Sequence, residues 1–398
     1  MRTLRKISCT AALGAVAAAI AAWAGTTAAP AGAEVAIRSD LARAGLAQKG
    51  RSLIASIWTR KPVPLSQLAR LPKPGSDAQR LCVDFSGLDN GGERRLCLGG
   101  PDAHRRVGMQ ALNASGSPRR EATLAARIER PVAKHLVLTL VPGQAGLTPG
   151  RYDWRVTELR SHCGLHLRDC ESRAPPGHAP NLFRLRPVRP VGCTGGVAGL
   201  FRNGPRDRNV VALTFDDGPS EYTPGFLDVL REKHVEGTFF EVGQEMPGRE
   251  DTMRRILREG DEIGNHTMHH AEYPGYSEIA PDSALVERYT HFEPCLFRPP
   301  GGGADSAVIS TAAGLGMQTI TWDVDPTDWA NPGSAAVYSR VVGAARPGSI
   351  ILMHDGGGPR GGTLAALPAI IDTLRARGYR FATVSALLGH RLLYRPYG

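Results

Sequence analysis

The sequence predicts an α/β fold, a distorted (β/α)7-type parallel barrel in the C-terminal half, preceded by an all-β sandwich domain. Two rhythms and the break between them predict it. Residues 207–398 alternate apolar strand-length runs with helix-length segments, as parallel pairing through right-handed crossovers requires. From about 51 to 186 the chain instead carries short alternating runs between Gly, Pro, Asn and Asp, the pattern of antiparallel strands. The helix-averse stretches Ala174-Pro-Pro-Gly and Arg186-Pro-Val-Arg-Pro-Val-Gly separate the two rhythms. With 398 residues, 42% hydrophobic and 22% charged, the chain has material for two globular domains and not for a disordered or collagen-like protein.

In chain order, residues 1–33 read as an export signal. Arg2, Arg5 and Lys6 precede an Ala-rich apolar run from Ile7 to about Ala24, and Ala31-Gly32-Ala33 offers a cleavage site. The alternative is an uncleaved anchor, since the run is near the ~18-residue minimum for a membrane span. No other stretch could enter a bilayer, which excludes a polytopic membrane protein. The expectation is a secreted, extracellular or wall-associated chain with no stable membrane insertion after cleavage. Six cysteines follow the signal, and an even number in an exported chain favours disulfides. Proximity suggests Cys82 with Cys97 and Cys163 with Cys170, which leaves Cys193 for Cys295.

Residues 34–187 form the β-rich domain, with runs at 52–58, 81–85, 96–98, 122–128, 135–140 and 152–156. Leu147-Thr-Pro-Gly-Arg-Tyr-Asp-Trp-Arg-Val resembles a turn entering a central strand of immunoglobulin-like modules, which implies a fold and no function. Residues 188–206 read as a linker. The charge divides at this boundary: residues 34–206 hold 28 basic and 13 acidic side chains, residues 207–398 hold 17 and 25. Outside the cell such a basic segment is drawn to anionic polymers such as teichoic acids or peptidoglycan carboxylates. The other reading is a mere arginine bias, with 42 Arg against 6 Lys. Nucleic acid would suit the charge, but export and the lack of any nucleic-acid motif exclude it as a partner.

In residues 207–398, strands are expected at 210–215, 237–242, 262–265, 296–298, 318–322, 350–353 and 380–384, with helices at 223–234, 249–259, 277–290, 305–315, 334–345 and 363–376. The polar residues cluster at strand C-termini: Asp216 and Asp217, His266 and His270, Arg298, Asp325 and Asp328, and His354. In a parallel barrel these ends converge on one face. His266 and His270 are four apart, so a helical turn would set both rings on one side, within reach of one metal. With Asp217 they make a two-His, one-carboxylate set for a divalent ion, zinc by default. Asp216 would then face the bound water, where a general base belongs. No G-x-S-x-G elbow is present, which disfavours a serine nucleophile.

Thr214-Phe-Asp-Asp-Gly-Pro219, His266-Thr-Met-His-His270, Arg298-Pro-Pro-Gly301, Asp325-Pro-Thr-Asp-Trp329 and Leu352-Met-His354 occur in this order. Together they closely resemble the five motifs of the NodB-type polysaccharide deacetylases, carbohydrate esterase family 4, over about residues 207–390. The resemblance implies that Asp217, His266 and His270 bind the metal and that Asp216 is the base toward its water. It further implies that Arg298 holds Asp216, that Asp328 orients His354 as general acid, and that Trp329 and Leu352 shape the acetyl pocket. A backbone N–H near Gly301 would serve the oxyanion. Family members often carry an aromatic residue where Gly301 stands, so one groove wall is absent or comes from elsewhere. The expected activity is N-deacetylation of an acetylated amino-sugar polymer, peptidoglycan or chitin-like, with release of acetate. O-acetyl esterase action on xylan or wall sugars is the rival, and a non-catalytic wall-binding protein is a third reading.

Overall fold

The computed structural model describes residues 41–62, 79–89, 92–101, 107–112, 118–124, 127–160, 170–174, 181–194 and 198–397. The signal segment 1–33 and the proposed partner Cys163 lie outside them. Among the described residues no helix is long and apolar enough to cross a membrane.

The N-terminal half contains β1 (Leu41–Lys49), β2 (Ser52–Thr59), β3 (Gln79–Gly87), β4 (Glu93–Pro101), β5 (Val107–Leu112), β6 (Pro118–Leu124), β7 (Arg127–Val132), β8 (His135–Leu140), β9 (Gly150–Arg160), β10 (Cys170–Ala174) and β11 (Leu182–Leu185). They form two antiparallel sheets, one ordered β1–β2–β8–β7 and the other β10–β9–β3–β4–β5–β6 with β11 also on β9. Alternation explains the packing. Leu53, Ala55 and Ile57 of β2 and Leu136, Leu138 and Leu140 of β8 point inward and share one core with Leu81, Val83, Phe85, Leu96, Trp154 and Val156 of the other sheet. Cys82 and Cys97 face each other across β3 and β4 and are disulfide-bonded. The run 122–128, expected as one strand, is instead divided between β6 and β7, which belong to different sheets.

Residues 188–206 are more than a linker. They supply β12 (Val188–Cys193) and β13 (Leu200–Phe201). β12 pairs antiparallel with the last strand, with a register shift between Pro190 and Gly192; proline, lacking an N–H, is tolerated in such an edge position. A disulfide joins Cys193 to Cys295.

The C-terminal half then alternates β14 (Val210–Gly218), α1 (Thr223–Lys233), β15 (Gly237–Glu241), α2 (Glu250–Glu259), β16 (Glu262–Asn265), α3 (Tyr276–Thr290), β17 (Leu296–Phe297), α4 (Ser306–Gly314), β18 (Gln318–Ile320), α5 (Ser334–Ala344), β19 (Ile350–His354), α6 (Gly361–Ala376), β20 (Arg380–Phe381), α7 (Val384–Leu387) and β21 (Leu392–Pro396). The parallel sheet runs β13–β18–β17–β16–β15–β14–β19, with β20 also on β14. Among the described residues its two ends are joined by the isolated bridges Asn203↔Ser349 and Val324↔Ile351 and not by a continuous ladder, so the barrel is closed loosely. Helices cover the outside: in α2 the i, i+3, i+4 residues Met253, Ile256 and Leu257 are buried, and Gly260 at φ 103° ends the helix. Phe215, Phe226 and Phe239 pack between sheet and helices, whereas Ala212, Phe240, Leu296, Ile320 and Ile350 form a second cluster.

Candidate active site

β14 is apolar and buried as far as Phe215, and then two carboxylates follow. Successive strand residues ordinarily point to opposite faces. Here the β14–β15 register shifts between Asp216 and Gly218, and Asp217 takes φ 71°. This bulge lets both side chains approach His266, whose Nε2 is 3.8 Å from Asp216 Oδ2 and 3.4 Å from Asp217 Oδ1.

A helical turn, which would have set both rings on one side, does not form after β16. Residues 266–270 make an irregular turn in which Thr267 (φ 73°) and His270 (φ 56°) are left-handed. Asn265 Oδ1 accepts from Thr267 N at 3.0 Å and Thr267 Oγ1 accepts from Ala271 N at 3.1 Å, so side chains bend the chain where helix hydrogen bonds would have kept it straight. The two rings still converge, with centroids 5.2 Å apart.

His266 Nδ1 lies 2.6 Å from the Arg298 carbonyl oxygen. A carbonyl only accepts, so Nδ1 carries the proton and Nε2 presents its lone pair. His270 Nε2 is 3.1 Å from Asp217 Oδ1. With Nε2 of His266 unprotonated, the 3.4 Å approach to Asp217 is the spacing of co-ligands and no hydrogen bond. The three donor atoms all lie within 4.8 Å of one another, and Asp217 Oδ1 is buried without a hydrogen-bond partner. Ligand bonds of 2.0–2.2 Å in tetrahedral array put neighbouring donors about 3.3–3.6 Å apart. The residues therefore fit a zinc-sized divalent ion. Burial pushes Asp217 up, but the neighbouring imidazoles outweigh it and hold the carboxyl well below its usual range.

Arg298 follows β17 and is fully buried. Its Nη1 donates to Asp216 Oδ1 at 2.6 Å and to Thr214 Oγ1 at 2.8 Å, and its guanidinium carbon lies 4.0 Å from the Phe240 ring centroid. Asp216 is thereby held by a charge-assisted bond. Asp216 and His354 are register partners on the adjacent strands β14 and β19. His354 Nδ1 is 2.7 Å from Asp328 Oδ1, so its proton points at Asp328 and Nε2 stays free. Burial lowers the His354 pKa, but the Asp328 carboxylate wins and the imidazole lies above its ordinary value. Asp328 Oδ2 also accepts from His354 N at 2.9 Å and Thr363 Oγ1 at 2.8 Å.

The remaining positions divide. Leu352 is buried on β19, Trp329 is 56% exposed beside Asp328, and Gly301 takes φ 64° in a short turn where an added Cβ would meet only Glu272. Asp325 does not join the cluster; its Oδ1 accepts from Thr327 N at 2.7 Å and shapes the turn before Asp328. The first motif includes Thr214 without giving it a role, and Thr363 and Arg360 lie outside the motifs. Nor did the motifs expose Glu241 and Asp355, both fully buried around Gly218. Burial first raises both carboxyls, and charge adds to it: that of Asp355 on Glu241, and those of Asp217 and Asp216 on Asp355. The sequence signal for several of these was the run His354-Asp-Gly-Gly-Gly-Pro-Arg-Gly-Gly-Thr363, which extends well past the fifth motif.

A family described as polysaccharide deacetylase matches residues 203–320. A peptidoglycan-N-acetylglucosamine deacetylase of Bacillus cereus is 43% identical over 195 residues, covering 47% of this chain and 92% of that protein. A chitooligosaccharide deacetylase of Sinorhizobium fredii is 36% identical over 187 residues, covering 42% and 87%. The solved family 4 carbohydrate esterase of Streptomyces lividans is 32% identical, with a TM-score of 0.42 over 46% of this chain and 97% of that one. With the B. cereus relative matched over nearly its whole length, the chain belongs to the polysaccharide deacetylase family and is an enzyme of that class.

Proposed function

We propose that the protein is a secreted, metal-dependent N-deacetylase of an acetylated amino-sugar polymer, with peptidoglycan as the first candidate and chitooligosaccharides as the second. The observation that carries this reading is the placement of Asp216 and His354 as neighbours on β14 and β19, each fixed by its own partner, beside the Asp217, His266 and His270 donors.

Asp217, His266 and His270 would hold a divalent ion, zinc by default, and when bound that ion polarises the acetamide carbonyl and acidifies water. Asp216 accepts a proton from the attacking water; Arg298 keeps its carboxylate oriented. As the imidazolium, which Asp328 stabilises by accepting from Nδ1–H, His354 donates its Nε2 proton to the departing amine. The backbone near Gly301 supplies an N–H for the developing oxyanion. Trp329 and Leu352 border the acetyl group. Acetate and a free amino sugar result.

The bulk of the basic charge, 28 basic against 13 acidic residues in 34–206, suits an accessory β-sandwich that draws the enzyme to anionic wall polymers after export by residues 1–33.

The reading is tested by mass spectrometry of purified muropeptides and chitooligosaccharides incubated with enzyme and zinc. Loss of one acetyl unit per sugar, with kcat reduced ~10²–10⁴-fold in Asp216→Asn, is the expected result. Acetate release from O-acetylated xylan only, or full turnover in Asp216→Asn, would overturn it.

A further inference from the structure

Arg360 is a cation that the deacetylase chemistry does not use. It is 97% buried, with 3% relative exposure, and among the described residues it forms no ion pair with a carboxylate. Its guanidinium instead gathers backbone carbonyls: Nε donates to Gly356 O at 2.6 Å, Nη2 to Gly357 O at 3.0 Å, and Nη1 reaches Trp329 O and Pro359 O at 3.4 Å. A buried guanidinium without a carboxylate is costly. An apolar side chain would fill the same space without that cost.

The carbonyls identify what is being held. Gly356 and Gly357 lie directly against the metal ligand: an added Cβ would come within 1.9 Å of Asp217 O at Gly356 and within 2.4 Å of Asp217 Oδ2 at Gly357. The amides of Asp355 and Gly356 both donate to Asp216 O, at 3.1 and 3.2 Å. The third carbonyl belongs to Trp329, whose neighbour Asp328 orients His354. One planar fork of donors therefore spans the glycine loop that backs Asp216 and Asp217 and the turn that carries Asp328 and Trp329.

We propose that Arg360 is a positioning residue that fixes the metal-ligand side of the site relative to the acid side, so that Asp217 and the Asp328–His354 pair keep one separation. This rests on the reading of Asp217, His266 and His270 as the metal site.

The test compares the full chain with Arg360→Lys, which keeps the charge but cannot bridge both segments, and Arg360→Gln. Zinc affinity is measured by chelator competition, and kcat and KM on a soluble chitooligosaccharide. Amide hydrogen exchange of 354–360 and 327–331 is followed in metal-free protein. The expected result is ~10-fold weaker zinc binding, a larger loss in kcat than rise in KM, and faster exchange in both segments together. Folded variants with normal zinc affinity and kcat would overturn the proposal, as would faster exchange in one segment alone. Failure of the wild-type chain to bind zinc would instead sink the metal-site reading. Should neither variant fold, Gly357→Ala leaves Arg360 intact and displaces the same loop against Asp217. That variant must show the same zinc loss, and normal affinity there would also overturn the proposal.

Discussion

Asp261 shows how far one side chain in this fold can depart from its solution behaviour. It is buried beside β15, where its Oδ1 accepts from Gly237 N at 2.7 Å. Desolvation raises its pKa from 3.8 to about 8, against the opposing pull of that hydrogen bond. In the unfolded chain the group ionises above 3.8, whereas in the folded protein it stays protonated until about 8. Its contribution to stability is thus full below 3.8 and is lost as pH climbs to about 8. Asp261→Asn keeps the acceptor and removes the titration. It is expected to raise Tm by a few degrees at pH 8, roughly 1–2 kcal/mol, and to change nothing at pH 4; thermal melts across that range check it. At this scale the sequence revealed residues whose chemistry has a spacing signature. The grouping of Asp217, His266 and His270 was legible because residues at the C-terminal ends of parallel strands converge on one face, and Asp216 because it adjoins one of them. Thr363 and Arg360 were not, because one supports a carboxylate and the other binds carbonyls, and neither task demands a recognisable spacing.

Among the elements, continuity of apolar residues decided what could be read. β14 and β19 are buried along almost their whole length and were visible as unbroken runs. β1, with the sequence Leu-Ala-Arg-Ala-Gly-Leu-Ala-Gln-Lys, has residues that favour helix and becomes a strand only because β2 offers its edge. β13 is two residues long and exists through its pairing with β18. The irregular turn at 266–270 shows the same limit: the two rings converge, but without the helical turn on which that reading was conditional. The Cys193–Cys295 disulfide, closing a separation of 102 residues, acts at this scale by tying β12 to the approach to β17. Replacing both cysteines by serine is expected to cost roughly 2–4 kcal/mol, read in urea unfolding of the oxidised protein. An unchanged midpoint would show that the bond stabilises nothing.

For the whole molecule, the prediction concerns division of labour. The β-rich half meets the α/β half through Arg51, which pairs with Glu236, yet none of the side chains placed in the chemistry comes from before Thr214. A chain beginning at Val188 keeps β12, β21 and the Cys193–Cys295 bond. It is expected to deacetylate a soluble chitooligosaccharide within about twofold of the full chain, while its retention on purified walls falls at low salt and becomes salt-independent. Equal wall retention by both chains would remove the accessory role. A second measurement bears on the metal: EDTA is expected to abolish acetate release and lower Tm, and zinc to restore both.

The pairing of β12 with β21 has one more consequence. The polypeptide enters the α/β half along one of these strands and departs along the other, antiparallel and side by side. Entrance and exit therefore open at the same spot. Such a layout makes the hydrolase a cassette that can be spliced into a surface loop of another protein without prying that host apart.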